Sequence, residues 1–357
     1  MASEGQAQNT STEVTATTDT SGTSAPAPQS GSPSRVEEPP PVDAIDSSDA
    51  DSGYNDSSLS STASLRSSIY EFDQENGRTY QRGSEYVMPN DEEEQRRMDI
   101  HYHSLRFAIR DRLYYAPIEN PTSVIDVGTG TGIWAMDMAD NYPAAQVLGI
   151  DLSPIQPTWV APNLEFQIFD LEQTWDMPQR FDLVHSREMN GFSIKSWPKY
   201  FEQAFLSLKP GGWVECQEFD LDIKSDDNTI PEDSNLIKWQ NLWEEGIQKA
   251  GLTGRCYPEK MVEQLKEAGF INTRILPFKM PTGPWAKDPM LRQSGLCVLA
   301  GMLDGMTGLS MRVFTQLLGW SVEEMEILLA KAKVELKNKR IHSYFPIYIV
   351  YGQKPPL

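Results

Sequence analysis

From residue 123 onward, short apolar runs alternate with amphipathic stretches. SVIDVG (123–128), QVLGID (146–151), LEFQIFD (164–170), FDLVHSR (181–187) and WVECQEFD (213–220) read as five strands. GIWAMDMADNYP follows the first as a helix stopped by Pro143, and WPKYFEQAFLSLKPGG (197–212) is a second, with Pro in its first turn and a Pro-Gly-Gly stop. Alternation of this kind predicts a parallel sheet with helices on both faces. Residues 231–251 and 258–269 are also helical in pattern, and TRILPFKM (273–280) and SYFPIYIVYG (343–352) read as two closing strands, seven in all. The roughly 60 residues between those two strands are too long for a turn. They are expected to form a helical cap, about 283–342, over one sheet edge. The fold class is therefore α/β: a Rossmann-like, mostly parallel seven-stranded sheet with helical cap insertions.

Upstream the pattern changes twice. Asp91, Glu92, Glu93 and Glu94 suit a helix N-terminus, and Met98, Tyr102, Leu105, Ile109 and Leu113 form one apolar stripe running to Tyr115. Pro117 and Pro121 close that helix. Residues 67–94 mix aromatics with Gly and charge and read as an ordered but irregular lead-in. Residues 1–68 are rich in Ser, Thr, Ala, Pro, Asp and Glu with few large apolar side chains, which predicts a disordered acidic tail. The division expected is tail 1–68, lead-in and N-terminal helix 69–122, and main domain 123–357.

Composition narrows the function classes. The 357 residues carry a formal net charge of -20, which repels phosphate backbones and argues against direct nucleic-acid binding. No apolar run approaches the ~20 residues of a membrane span, and the N-terminus lacks the basic and apolar segments of a secretory signal. The three cysteines, Cys216, Cys256 and Cys297, have no metal-ligand spacing, so no metal is expected. A reducing compartment, cytoplasmic or nuclear, fits this cysteine usage.

Chemistry concentrates after the first strand. VIDVGTGTG places Asp126, Gly128, Thr129, Gly130 and Gly132 where a strand turns into a helix. Glycines there allow a tight turn and close approach of a ligand. The spacing is G-x-G-x-G, not the G-x-G-x-x-G of a pyrophosphate site, and the Asp126 carboxylate would repel a pyrophosphate and attract an ammonium group. An NAD-dependent oxidoreductase fails on both points. Asp151, followed by Leu152, ends the second strand, where a carboxylate can accept both ribose hydroxyls. Asp170 and Leu171 end the third, offering an acceptor for an adenine amino group beside an apolar wall.

These features in register resemble class I S-adenosylmethionine-dependent methyltransferases over residues 123–220. That resemblance implies S-adenosylmethionine as cofactor, with Asp126 and the glycines at its methionine part, Asp151 at the ribose and Asp170 at the adenine. ENGRTY (75–80), DEEEQRRMD, GTGIWAMDMADNYP, DLSPIQP (151–157), the WP helix start at 197–198 and LKPGGWVECQEFD are more closely similar to the fungal LaeA-like methyltransferases, over about residues 70–354. The departure is Thr129, where most members carry Cys. Membership implies methyl transfer to a secondary metabolite or in the regulation of secondary metabolism. The alternative it implies is a nuclear partner of transcription regulators in which cofactor binding matters more than turnover.

Methyl transfer requires a nucleophile held in line and, for some acceptors, a base. His185, ending the fourth strand, is the candidate base and a cofactor neighbour. Its alternative is a packed strand-end histidine, which the following Ser186 and Arg187 favour because they offer no dyad. No N/D-P-P-Y/F motif follows that strand, which weighs against amino-group methylation. His101 and His103 are assigned to structure or the site rim, and Tyr80 and Tyr86 to packing. Met290, Met302, Met306 and Met311 in the cap suit a helix core or an adaptable apolar pocket for a polyketide-like substrate.

Overall fold

The computed structural model describes residues 71–177 and 181–357, so the expected tail 1–68 lies outside the described residues. The described chain opens with an antiparallel hairpin, β1 (Phe72–Glu75) and β2 (Arg78–Gln81), in place of an irregular lead-in. Asn76 and Gly77, both at positive φ, make its two-residue turn. Helix α1 (Glu92–Ala108) follows, capped by Asp91 Oδ1, which accepts the Glu94 amide at 3.0 Å.

The expected continuation of α1 to Tyr115 does not form. Arg110 and Asp111 both take positive φ, and Arg106 Nη2 donates to Asp111 Oδ1 at 2.6 Å. The amides of Tyr115 and Ala116 turn inward to the buried Glu215 Oε2, at 2.7 and 2.6 Å. Ile109 and Leu113 are still buried, but by a turn and not by a helix face.

The remaining elements alternate: β3 (Ser123–Val127), α2 (Ile133–Asn141), β4 (Gln146–Asp151), β5 (Leu164–Ile168), β6 (Phe181–Arg187), α3 (Trp197–Ser207), β7 (Leu208–Phe219), β8 (Lys224–Ser225), α4 (Asn235–Lys249), α5 (Pro258–Glu267), β9 (Ile271–Pro281), α6 (Pro289–Arg312), α7 (Val322–Leu336) and β10 (Ser343–Gln353). Strands run in the order β5-β4-β3-β6-β7-β10, and both β9 and β8 pair with β10. The first five are mutually parallel, and β10 is antiparallel to its neighbours. All seven expected strands are present, and the two-residue β8 adds an eighth. β7 begins at Leu208, ahead of the expected Trp213. Its pairing with β6 jumps from Phe181↔Leu208 to Leu183↔Trp213, so Pro-Gly-Gly forms a bulge inside the strand.

Both faces of the sheet are covered. Trp134 and Met138 of α2 pack on Val124, Val147 and Leu183 on one side. Phe201 of α3 and Leu265 of α5 pack on Val127, Val184 and Val214 on the other. The cap has its own core, in which Trp239, Trp243, Met306, Phe314 and Leu329 meet Leu105 of α1. Its long helix α6 continues into a π-helical turn, Val313–Leu317. That Pro289–Leu317 stretch has the length and composition to cross a membrane, a correction to the expectation that no apolar run comes near; 56% of its apolar window is buried inside the fold.

Candidate functional site

The turn after β3 is made of backbone. Gly128, Gly130 and Gly132 have φ of 71°, 58° and 84°, a region other residues adopt only at a cost. The amides of Gly128 and Thr129 both reach the Ile150 carbonyl at 2.9 Å, drawing the turn across the end of β4. A Cβ on Gly128 would lie 2.5 Å from Met189 Sδ, and one on Gly130 would lie 2.5 Å from Met98 Cε. A side chain there would have to displace those methionine ends and would be strained by the positive φ.

Six of the ten residues singled out from the sequence line one cavity of about 750 Å³: Gly128, Gly130, Asp151, Leu152, Asp170 and Leu171. The other four, Asp126, Thr129, Gly132 and His185, stand behind it, a correction to their expected place against the cofactor. Asp126, expected to face a ligand's ammonium group, is 3% exposed. Its Oδ2 accepts from Thr129 Oγ1 at 2.6 Å, and its Oδ1 lies 2.7 Å from His185 Nδ1. His185, the candidate base, is its register partner on β6, fully buried and stacked on Trp134 with ring centroids 3.7 Å apart. Thr129 is thereby held by Asp126, and Gly132 packs against the Phe166 ring. This layer braces the turn from within the sheet.

Asp151 offers chemistry to the cavity. Its Oδ2 accepts the Gly130 amide at 2.8 Å and its Oδ1 the Ser153 amide at 2.9 Å. A carboxylate has about four lone-pair sites, so acceptor capacity remains for a further donor. Burial, with the Asp126 charge adding to it, pushes this carboxyl up to about 6 despite those amides. Asp170 Oδ1 accepts the Glu172 amide at 3.0 Å. The turn 126–132 contains no Lys or Arg, so the donor set suits a cationic adenosine derivative better than a pyrophosphate.

The far end of the cavity is apolar, lined by Phe219, Trp239, Trp243, Met280, Val298 and Met302. Helix α1 adds Arg97, Met98 and His101 to the lining, and the end of β6 with the residues after it adds Arg187, Glu188 and Met189. His101 Nε2 is 2.7 Å from Glu188 Oε1, and Arg97 is held by Glu94 at 2.7 Å. Burial alone would raise the Glu188 carboxyl, but His101, Arg187 and Arg97 outweigh it and hold it below the usual range. Glu188 has φ of 56°, a strained value for a non-glycine residue, costing roughly 1–3 kcal/mol. Arg187 Nη2 donates to Gln217 Oε1 at 2.9 Å, and its guanidinium lies 5.0 Å from the Tyr102 ring. Tyr86 lines the cavity, whereas Tyr80 is buried beneath Arg312. Met302 alone of the four cap methionines faces the cavity.

Sequence reading missed this part of the lining. In the sequence His101 reads as structure or site rim, and Arg187 reads only as a neighbour of His185 that offers no dyad. The available signal is the polar run HSRE that ends an apolar strand, at the edge where such sheets bind ligands.

A methyltransferase-domain family model matches residues 94–274, which includes α1, the glycine turn and β7. The class is thus a methyltransferase. Among curated relatives, methyltransferase pytC of Aspergillus terreus is 37% identical over 300 residues, covering 83% of this chain and 92% of that protein. The secondary metabolism regulator LAE1 of Cochliobolus heterostrophus is 36% identical, covering 79% and 94%. The secondary metabolism regulator laeA of Aspergillus fumigatus is 34% identical, covering 84% and 81%. This chain belongs to the fungal LaeA-like family of class I S-adenosylmethionine-dependent methyltransferases.

Proposed function

We propose that the protein transfers the methyl group of S-adenosylmethionine to a small apolar acceptor held in the far chamber of the cavity, as a step in secondary metabolism. The observation that carries this is the continuity of one cavity from Asp151 and the glycine turn to a chamber walled by Trp239, Trp243 and Phe219. Bound there, S-adenosylmethionine supplies an activated methyl on sulfur. Asp151 would receive the ribose hydroxyls on its remaining acceptor capacity, Asp170 and Leu171 would take the adenine, and the turn at Gly128 and Gly130 would admit the methionine part. Asp126, His185 and Thr129 act one layer back by holding that turn in shape. The apolar walls exclude water and orient the acceptor, which is where much of the rate gain of such a reaction arises. Names of relatives as secondary metabolism regulators support a role for the product, or for the reaction itself, in that regulation.

The test uses the full chain with methyl-labelled S-adenosylmethionine and a small-molecule extract from a fungal culture. Label is expected in apolar low-mass products, and is lost with Asp151→Ala. Label found only in protein, or no binding of S-adenosylhomocysteine by calorimetry, would overturn the reading.

A further inference from the structure

We propose that His101 is the proton acceptor of the methyl transfer, with Glu188 as its positioning residue, and that the acceptor is therefore a weakly acidic hydroxyl, a phenol or enol, on the apolar molecule. This rests on the methyl-transfer reading above. The first observation is placement. One turn before His101 on α1, Met98 lies over Gly130, and one residue after Glu188, Met189 lies over Gly128. His101 also meets Phe219 of the apolar chamber edge-on, with ring centroids 6.4 Å apart. The pair thus stands on the line where a donor in the polar half must meet an acceptor in the apolar half.

The second observation is chemical. Both side chains are reachable, at 21% and 19% exposure, whereas His185 is sealed behind the turn. A carboxylate at 2.7 Å from Nε2 fixes that nitrogen as the donor and leaves Nδ1 as the ring's accepting nitrogen. Glu188, held at positive φ just past the end of β6, sets its carboxylate against His101 of α1. In the step, the acceptor's O–H bond breaks as a new O–CH3 bond forms, and the sulfonium S–CH3 bond breaks with its electron pair staying on sulfur. The proton goes to Nδ1, and the resulting imidazolium is balanced by the Glu188 carboxylate.

A dead-end complex tests this without turnover. Full-length protein is saturated with S-adenosylhomocysteine, which calorimetry verifies for every variant, and 4-nitrophenol is added as probe while its phenolate absorbance is followed against pH. For the wild type, bound probe is expected to ionise about one pH unit lower than free probe. His101→Gln, which keeps a polar side chain but cannot take the proton, abolishes that shift. Glu188→Gln reduces it, and Glu188→Asp restores part of it. An unshifted wild type, a shift retained in His101→Gln, or no nitrophenol binding by a protein that binds S-adenosylhomocysteine would each overturn the proposal. Should His101→Gln fail to bind S-adenosylhomocysteine, the Glu188 pair decides: equal shifts in Glu188→Gln and the wild type overturn it. Loss of S-adenosylhomocysteine binding by the wild type would instead sink the methyl-transfer reading itself.

Discussion

Asp151 makes cofactor binding sensitive to mild acid. Its folded-state carboxyl lies near 6, above the ordinary aspartate value, because burial disfavours the charge. Only the ionised form accepts from both ribose hydroxyls, so affinity for S-adenosylhomocysteine is expected to be constant above about pH 7. Below about pH 6 it should fall by up to tenfold per unit. Asp151→Asn should weaken binding at neutral pH and flatten that profile; calorimetry across pH 5–8 checks both. The sign for stability is the reverse of a salt-bridged carboxylate: the buried group favours the protonated fold, so its penalty builds from about pH 4, where the unfolded carboxyl ionises, and is complete above about pH 6. His185 answers to a different measurement. Replacing it by Ala removes the stack on Trp134 and leaves Asp126 buried with only Thr129 as side-chain partner. A loss of about 3 kcal/mol in urea unfolding is expected. Why sequence ranked His185 above His101 is plain at this scale. Strand-end position is readable along the chain, whereas Asp126↔His185 pairing and the approach of α1 to Glu188 are contacts across it.

At the scale of elements, α1 is a wall of the site and not an appendage. Thr131 Oγ1 donates to Asp99 Oδ1 at 2.7 Å, tying α1 to the glycine turn, and α6 lies against its other side. The close approach depends on small residues: a Cβ on Gly305 would collide with the Arg97 Cδ. Gly305→Val should therefore displace Arg97 and lower stability by about 1–3 kcal/mol. It should also weaken binding of apolar probes more than binding of S-adenosylhomocysteine, as parallel titrations would show. Strands β3 to β7 were legible because buried parallel strands are short continuous apolar runs. The β1–β2 hairpin was not, because its one signal, the Asn76-Gly77 pair, sits among charged residues without an apolar alternation beside it. Nor was the end of α1. Its apolar spacing continues through Leu113, but Arg110 and Asp111 turn to positive φ under the Arg106–Asp111 bond, and Glu215 from β7 takes the Tyr115 and Ala116 amides beyond that turn.

For the molecule as a whole, the cofactor half and the chamber half have separate supports. One hangs from the parallel sheet and the other from the cap core of α4, α6 and α7. A ligand spanning both couples them. S-adenosylhomocysteine at about 100 times its dissociation constant should add about 2.7 kcal/mol of stability, or roughly 5 °C in a thermal-shift assay. An apolar acceptor analogue added afterwards should raise the midpoint again.

The Phe166 ring has a consequence of another kind. It fills the space beside two glycines far apart in the chain, Gly132 and Gly149, and a Cβ on Gly149 would lie 2.6 Å from its Cδ1. Gly149 is small because of that half-buried ring and the Thr129 hydroxyl beside it, whereas Gly128 and Gly130 line the cavity at positive φ, where a side chain is strained whatever its neighbours do. Descent should therefore treat them differently. Alanine at 149 is expected to be tolerated only in company with a smaller residue at 166, as a linked pair in a selected library. Positions 128 and 130 should admit no such compensation.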